Sequence, residues 1–205
     1  MGPVTGPVVP FGKPRGERAD AVRNREHLLR TARQMLAEQG AEKVTMDGLA
    51  ERAGLGKGTV FRRFGNRAGI FRALLDADEQ RFQQHVLSGP PPLGPGAEPV
   101  ERLIAYGRAR IAFLIDHHAV ARAAIDRSKP IPAGDPSMTQ LHIRMLLLRA
   151  GPIPNHDGLA MQLTAALEGP LLLFLSHPAP GTTVAAQTAA SLDNAWRTLI
   201  ERLLR

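Results

Sequence analysis

Between Ala53 and Arg67 the chain reads AGLGKGTVFRRFGNR, which sets Lys57, Arg62, Arg63 and Arg67 among the apolar residues Leu55, Val60, Phe61 and Phe64. Residues of these types do anion chemistry. Ammonium and guanidinium groups neutralise phosphate oxygens, and either can also bond guanine O6 and N7. Thr45 and Thr59 add hydroxyl groups for phosphate, and Gly58 lets a backbone come close to a ligand. The charge is distributed to match. The net charge is +7, with 14 Lys/Arg against 8 Asp/Glu in residues 1–76 and 12 against 11 in residues 77–205. An excess gathered in one third of the chain is expected of a part that meets a polyanion.

Catalytic chemistry finds little support. Cysteine is absent, which removes thiol nucleophiles and zinc–thiolate sites. No H-E-x-x-H, Walker or G-x-S-x-G pattern occurs. His117 and His118 are adjacent, so on a helix they point about 100° apart and are poorly placed to share an ion. No catalytic residue, metal or cofactor is assigned, and the chain does not read as an enzyme.

The elements that must position these cations are helices. Residues 1–19 carry prolines at 3, 7, 10 and 14 with Lys13, Arg15 and Arg18, and read as a flexible basic arm. This start lacks the apolar core of a signal peptide, and the run LEGPLLLFL is too short and interrupted to span a bilayer. A cytoplasmic protein without membrane contact is expected. From Asp20 on, Leu28, Leu29, Ala32, Met35 and Leu36 make one helical face, which Gly40 ends. Thr45 caps a short second helix, with Asp47 in its first turn, that breaks at Gly54. A third runs over 57–64, and a fourth from Arg67 towards Leu87. SGPPPLGPGAEP is a loop. Further helices are expected from Pro99, over 119–128, from an Asp135 cap to Ala150, and over 157–176 and 182–204. No useful period-two alternation occurs, so the expected fold is all-α with about nine helices.

Residues 45–64 have helix-turn-helix spacing. Ala50 and Ala53 are small enough for a close crossing, Gly54 suits a left-handed turn, and Leu55, Val60 and Phe64 return to a shared core. Lys57, Gly58, Thr59, Phe61, Arg62 and Arg63 are left for the outer face and its edges. Such a helix fits the DNA major groove, with Lys57 reaching base edges and Thr45, Thr59, Arg62, Arg63 and Arg67 meeting phosphates. A generic helical hairpin with solvated arginines has the same pattern.

The stretch NREHLLRTARQMLAEQGAEKVTMDGLAERAGLGKGTVFRRFGNRAGIFRALL resembles the N-terminal domain of the TetR/AcrR transcriptional regulators. The resemblance covers about residues 20–75, through G-x-x-x-x-T, L-A-x-x-A-G-L and K-G-T-V-F. It implies a three-helix DNA-binding domain over 20–66. It also implies a helical domain over 67–205 that binds a small-molecule effector and dimerises. The function implied is a repressor released from a palindromic operator by that effector. The family's phosphate-contacting threonine matches Thr45, its recognition-helix positions match Lys57, Gly58, Thr59, Phe61, Arg62 and Arg63, and its next cation matches Arg67. Gly56 stands where the family often has Ser or Ala, and Phe61 where it has Tyr. Phe61 lacks a hydroxyl for phosphate but can touch a thymine methyl.

In the second region, stripes at Leu159, Leu163, Leu167 and Leu171, and at Val184, Thr188, Leu192, Trp196, Leu199 and Leu203, fit either a protomer core or a seam. Because the family pairs its last two helices, a homodimer through them is expected. Effector-lining candidates are Tyr106, Arg110, Phe113, His117, His142, Met145, Met161 and Glu168. Arg110 and Glu168 stand out as charges on apolar faces, and they also suit each other as an ion pair. An effector-independent or architectural DNA-binding protein of the same fold is the competing reading. A cavity would favour the first reading, and a filled core the second.

Overall fold

A computed structural model describes residues 15–125, 137–175 and 182–204. All regular structure among them is helical: α1 (Arg15–Gln39), α2 (Met46–Ala53), α3 (Lys57–Phe64), α4 (Arg67–Ser88), α5 (Pro99–Asp116), α6 (His118–Ala124), α7 (Met138–Ala150), α8 (His156–Leu175) and α9 (Thr182–Leu203), with a 3-10 turn at Ala41–Lys43. The chain divides into two compact units, Met1–Asn66 and Arg67–Arg205.

In the first unit α1 buries Leu28, Leu29, Ala32 and Met35, which lie on one face at helical spacing. Gly40 ends the helix at a φ of 78°. The start of α1 corrects the expected arm, since the helix begins at Arg15 rather than at Asp20. No proline follows Pro14 in this stretch, so nothing in the backbone opposes the extra turn. Residues 1–14 of that arm lie outside the described residues.

α2 starts where its cap dictates. Thr45 is extended and its hydroxyl oxygen accepts from the Gly48 amide at 3.0 Å. A Cβ on Gly48 would lie 3.0 Å from that oxygen and 3.4 Å from the Met35 methyl, so the glycine keeps both the cap and the α1–α2 crossing tight. Gly54 takes the left-handed conformation (φ 65°) that turns the chain into α3. Val60 and Phe64, one turn apart, bury the inner face of α3. Two polar ties brace α1 against α2: His27 Nε2 lies 3.0 Å from the Ala53 carbonyl, and Arg52 pairs with Glu38 at 2.5 Å. That pairing, together with the Gln34 amide, holds the Glu38 carboxyl below its ordinary pKa.

The second unit is built around Leu103, Tyr106, Ile143, Leu146, Leu147, Leu163, Leu167, Trp196 and Ile200. α5 and α9 approach at Gly107, where an added Cβ would stand 1.9 Å from the Trp196 indole nitrogen. That indole N–H donates to the Leu103 carbonyl at 3.0 Å. Buried Arg102 donates to the carbonyls of Val86 at 3.2 Å and Leu93 at 3.5 Å, and so holds the proline-rich loop between α4 and α5.

Three expectations need correction here. α6 ends at Ala124 rather than 128, because Ile125 is already extended. α7 opens at Met138 with Ser137 as cap, its hydroxyl oxygen accepting from the Gln140 amide at 3.2 Å. The expected cap, Asp135, lies outside the described residues. Most of the described stripe residues also belong to the protomer's own core. Leu163, Leu167 and Trp196 are buried, and Leu159, Leu192 and Leu203 pack against them. Among the described stripe residues, only Leu199 is a large exposed apolar group, at 43%. The side chains of Leu171 and Val184 lie outside the described residues.

Candidate nucleic-acid interface

α3 carries two faces, one clamped and one open. Val60 and Phe64 are buried, whereas Lys57, Gly58, Phe61, Arg62 and Arg63 are exposed and Thr59 is half-buried. Phe61 is 48% exposed, unusual for a phenylalanine on a short helix, and Arg62 and Arg63 follow it in the chain. An exposed aromatic ring next to cations suits a polyanion that also offers apolar edges, such as thymine methyls in a major groove.

Gly56 and Gly58 sharpen this. Both have ordinary negative φ or helical geometry, and a Cβ built on either meets nothing within 4 Å. Neither the backbone nor the packing of this unit demands glycine at these two places. Gly56 is the N-cap of α3 and offers no side-chain cap, so the first amides of α3 are not capped by a side chain.

The cations differ in freedom. Lys57 Nζ lies 3.0 Å from Asp47 Oδ1, with both side chains largely exposed. Such a surface pair contributes well under about 1 kcal/mol, so an incoming phosphate or guanine can displace it. Arg63 Nη2 donates to the Ala21 carbonyl of α1 at 3.0 Å, which fixes its guanidinium beside that helix. Arg62 makes no hydrogen bond or ion pair among the described residues. Thr45 is exposed and its oxygen accepts a bond as cap, which leaves its hydroxyl hydrogen free to donate. Arg67 opens α4 in the second unit, its guanidinium 5.0 Å from the Phe71 ring centroid.

The second unit holds a cavity of about 190 Å³ between α4, α5, α6 and α8. Of the eight lining candidates named from sequence, Arg110, Phe113, His117 and Glu168 meet there. Arg110 is 8% exposed. Its Nη1 lies 2.6 Å from Glu79 Oε2 and its Nη2 3.3 Å from Glu168 Oε1. Its guanidinium carbon stands 5.2 Å from the Phe113 centroid and 5.7 Å from that of Phe82. Burial works against the charge, but Glu79 outweighs it, with Tyr106 and Glu168 adding, and the Arg110 pKa goes up. His117 stacks on Phe113 at 4.1 Å, with Nδ1 2.8 Å from the Phe113 carbonyl and Nε2 3.3 Å from Asp78 Oδ2.

The other candidates lie elsewhere. Tyr106 and His142 line a void of only about 10 Å³. The Tyr106 hydroxyl donates to Thr139 at 3.0 Å, and burial pushes its pKa up to about 12. Burial, with Arg102 nearby, pushes His142 down to about 4. Met145 packs on the core, and Met161 points away at 62% exposure. Sequence reasoning missed Glu79, Leu75, Leu114 and Ala121. The available signal for Glu79 was that a buried arginine on α5 needs more counter-charge than one half-exposed glutamate supplies. Among the described residues no three His, Asp or Glu side chains gather as a metal site, and no helix is long and apolar enough to cross a membrane.

A short capped helix, a left-handed glycine turn and a second helix with an exposed basic face define a helix-turn-helix protein of the all-α class. Residues 28–74 match the family model described as "Bacterial regulatory proteins, tetR family", so this part of the chain is similar to that family. Curated relatives match about a third of the chain. An HTH-type transcriptional regulator of Staphylococcus aureus (strain bovine RF122 / ET3-1) is 29% identical over 65 residues, 32% of this chain and 35% of the relative. One from strain USA300 is 29% identical over 68 residues, 33% and 37% of the two chains. The matched part thus spans little more than a third of these relatives' length. A solved structure of a TetR-family transcriptional regulator from Rhodococcus sp. superposes at TM-score 0.57 with 16% identity, over 90% of this chain and all of that one, and so shares the fold.

Proposed function

We propose that this chain is a DNA-binding transcriptional regulator. It acts as a two-fold dimer on a partly palindromic operator and represses until a small effector binds the second unit. The observation that carries the reading is the outer face of α3. Lys57, Thr59, Phe61, Arg62 and Arg63 stand on a helix whose two leading glycines leave open space, on a scaffold braced from behind. Lys57 reads base edges, Gly58 lets the backbone approach, Phe61 touches an apolar base edge, and Thr45, Thr59, Arg62, Arg63 and Arg67 hold phosphates.

Dimerisation falls to the outward sides of α8 and α9, since Leu163, Leu167 and Trp196 face inward. Met161, Gln162, Ala165 and Ala166 on α8 and Ala195, Thr198 and Leu199 on α9 are exposed, a surface of small and apolar groups suited to close helix pairing. The cavity at Arg110 supports effector control over an architectural role, because a purely structural domain would fill it. Effector binding there would act by shifting the population between DNA-competent and incompetent states.

Selection of random duplexes by the purified protein tests the reading. Enrichment of an inverted repeat with half-sites about one helical turn apart, or a multiple, is expected. Absence of any enriched sequence refutes specific recognition, and a lone half-site refutes the two-fold dimer.

A further inference from the structure

The cavity in the second unit has a size and a charge balance that together define a ligand class. A dry cavity of about 150 Å³ holds benzene. At about 190 Å³, this one takes a single six-membered ring with a small polar group attached. Leu75, Phe113, Leu114 and Ala121 supply the apolar wall.

The polar wall is unequal. Glu79 and Glu168 bring two carboxylates, and Arg110 brings one guanidinium. Both terminal nitrogens of that guanidinium already face a carboxylate, and its carbon stands 5.2 Å from the Phe113 centroid and 5.7 Å from that of Phe82. Asp78, at His117, is already paired with Arg81, so the surplus of carboxylate over cation in the lining comes from Glu79 and Glu168. An anionic ligand would have to displace Glu168 from Arg110 and then lie beside Glu79. An ammonium group meets the opposite situation. Glu168 is the looser partner of Arg110, at 3.3 Å with a third of its side chain exposed, and it can turn to a second cation without leaving Arg110 uncompensated by Glu79.

We propose that this cavity is a site for a small amphipathic cation, a primary ammonium carried on a one-ring apolar body, with Glu168 as its counter-ion. This names the effector class for the regulator reading and rests on it. Phe113 in the wall favours the same ligand, because a ring edge and a cation both pack well on a phenyl face.

Calorimetric titration of the full chain with benzylammonium, benzyl alcohol and benzoate, three probes of nearly equal shape, tests it. Benzylammonium is expected to bind at least about tenfold tighter than benzyl alcohol, with benzoate weakest, since a charge pair in a partly buried site outweighs a neutral contact. In Glu168→Gln the ratio of the first two should fall to about threefold or less. Should that variant fail to fold, the wild-type ranking alone decides. Benzoate matching benzylammonium, equal binding of all three, or binding of none overturns the proposal. Duplex DNA titrated into the same preparation separates the two readings. DNA binding without cation preference overturns the cation site alone, and absence of DNA binding overturns the regulator reading.

Discussion

Replacing Gly58 by alanine should move stability and DNA binding in opposite directions. Gly58 is the second residue of α3, its φ is not positive, and a Cβ there meets no atom within 4 Å. Alanine removes backbone freedom from the unfolded chain and restores helix propensity, which together stabilise by about 0.4–1 kcal/mol. For a unit of this length that is a rise of roughly 2–8 °C in its unfolding midpoint. The added methyl lies on the open face, however, where the backbone of α3 would press against base edges. A rigid methyl in a close interface costs about 1–3 kcal/mol, so affinity for the selected operator should fall roughly 5- to 150-fold. Thermal unfolding by circular dichroism and fluorescence anisotropy on labelled duplex give the two numbers. A variant that is stabilised and binds DNA as tightly as the wild type would refute the placement of this helix against the groove.

Two further outcomes test the second unit. Gly107→Ala forces a methyl into the Trp196 indole, 1.9 Å from its nitrogen and 2.1 Å from Cε2. The rigid ring must shift and its bond to Leu103 lengthen, a loss of about 2–4 kcal/mol that denaturant titration would reveal. His142 sets an acid limit. Its folded pKa is about 4 against an ordinary 6.5, so on lowering the pH the unfolded chain takes up a proton that the folded chain refuses. Stability from this group is intact above about 6.5 and is lost progressively towards 4, by up to about 3 kcal/mol. His142→Leu should flatten that part of the pH profile, and an unchanged slope would contradict it.

Local signals were legible where one residue decides. Thr45 and Gly54 delimit α2 because a cap and a left-handed turn leave few alternatives, and α3 follows at Lys57–Phe64. Signals shared between neighbours were not. Ser137 lies two residues beyond Asp135 and takes the cap of α7. Apolar stripes do not say which partner they face. Trp196 reads equally well as a seam residue or a core residue until Gly107 is seen to leave room for its ring. Met161 precedes Leu163 by two positions, about 200° around a helix, so once Leu163 is buried Met161 must point outward. The Arg110–Glu168 pair was readable as charges needing each other, but Glu79 required the three-dimensional crossing of α4 and α5.

The central claim is that an open basic face on α3 binds DNA through its phosphates and base edges. The slope of log affinity against log salt concentration measures it most directly. Wild-type protein should lose affinity steeply with salt, and Lys57→Ala/Arg62→Ala should bind more weakly with a slope shallower by about 1–2, one unit for each lost cation contact. A flat wild-type profile, or a double variant with unchanged affinity and slope, would contradict the account.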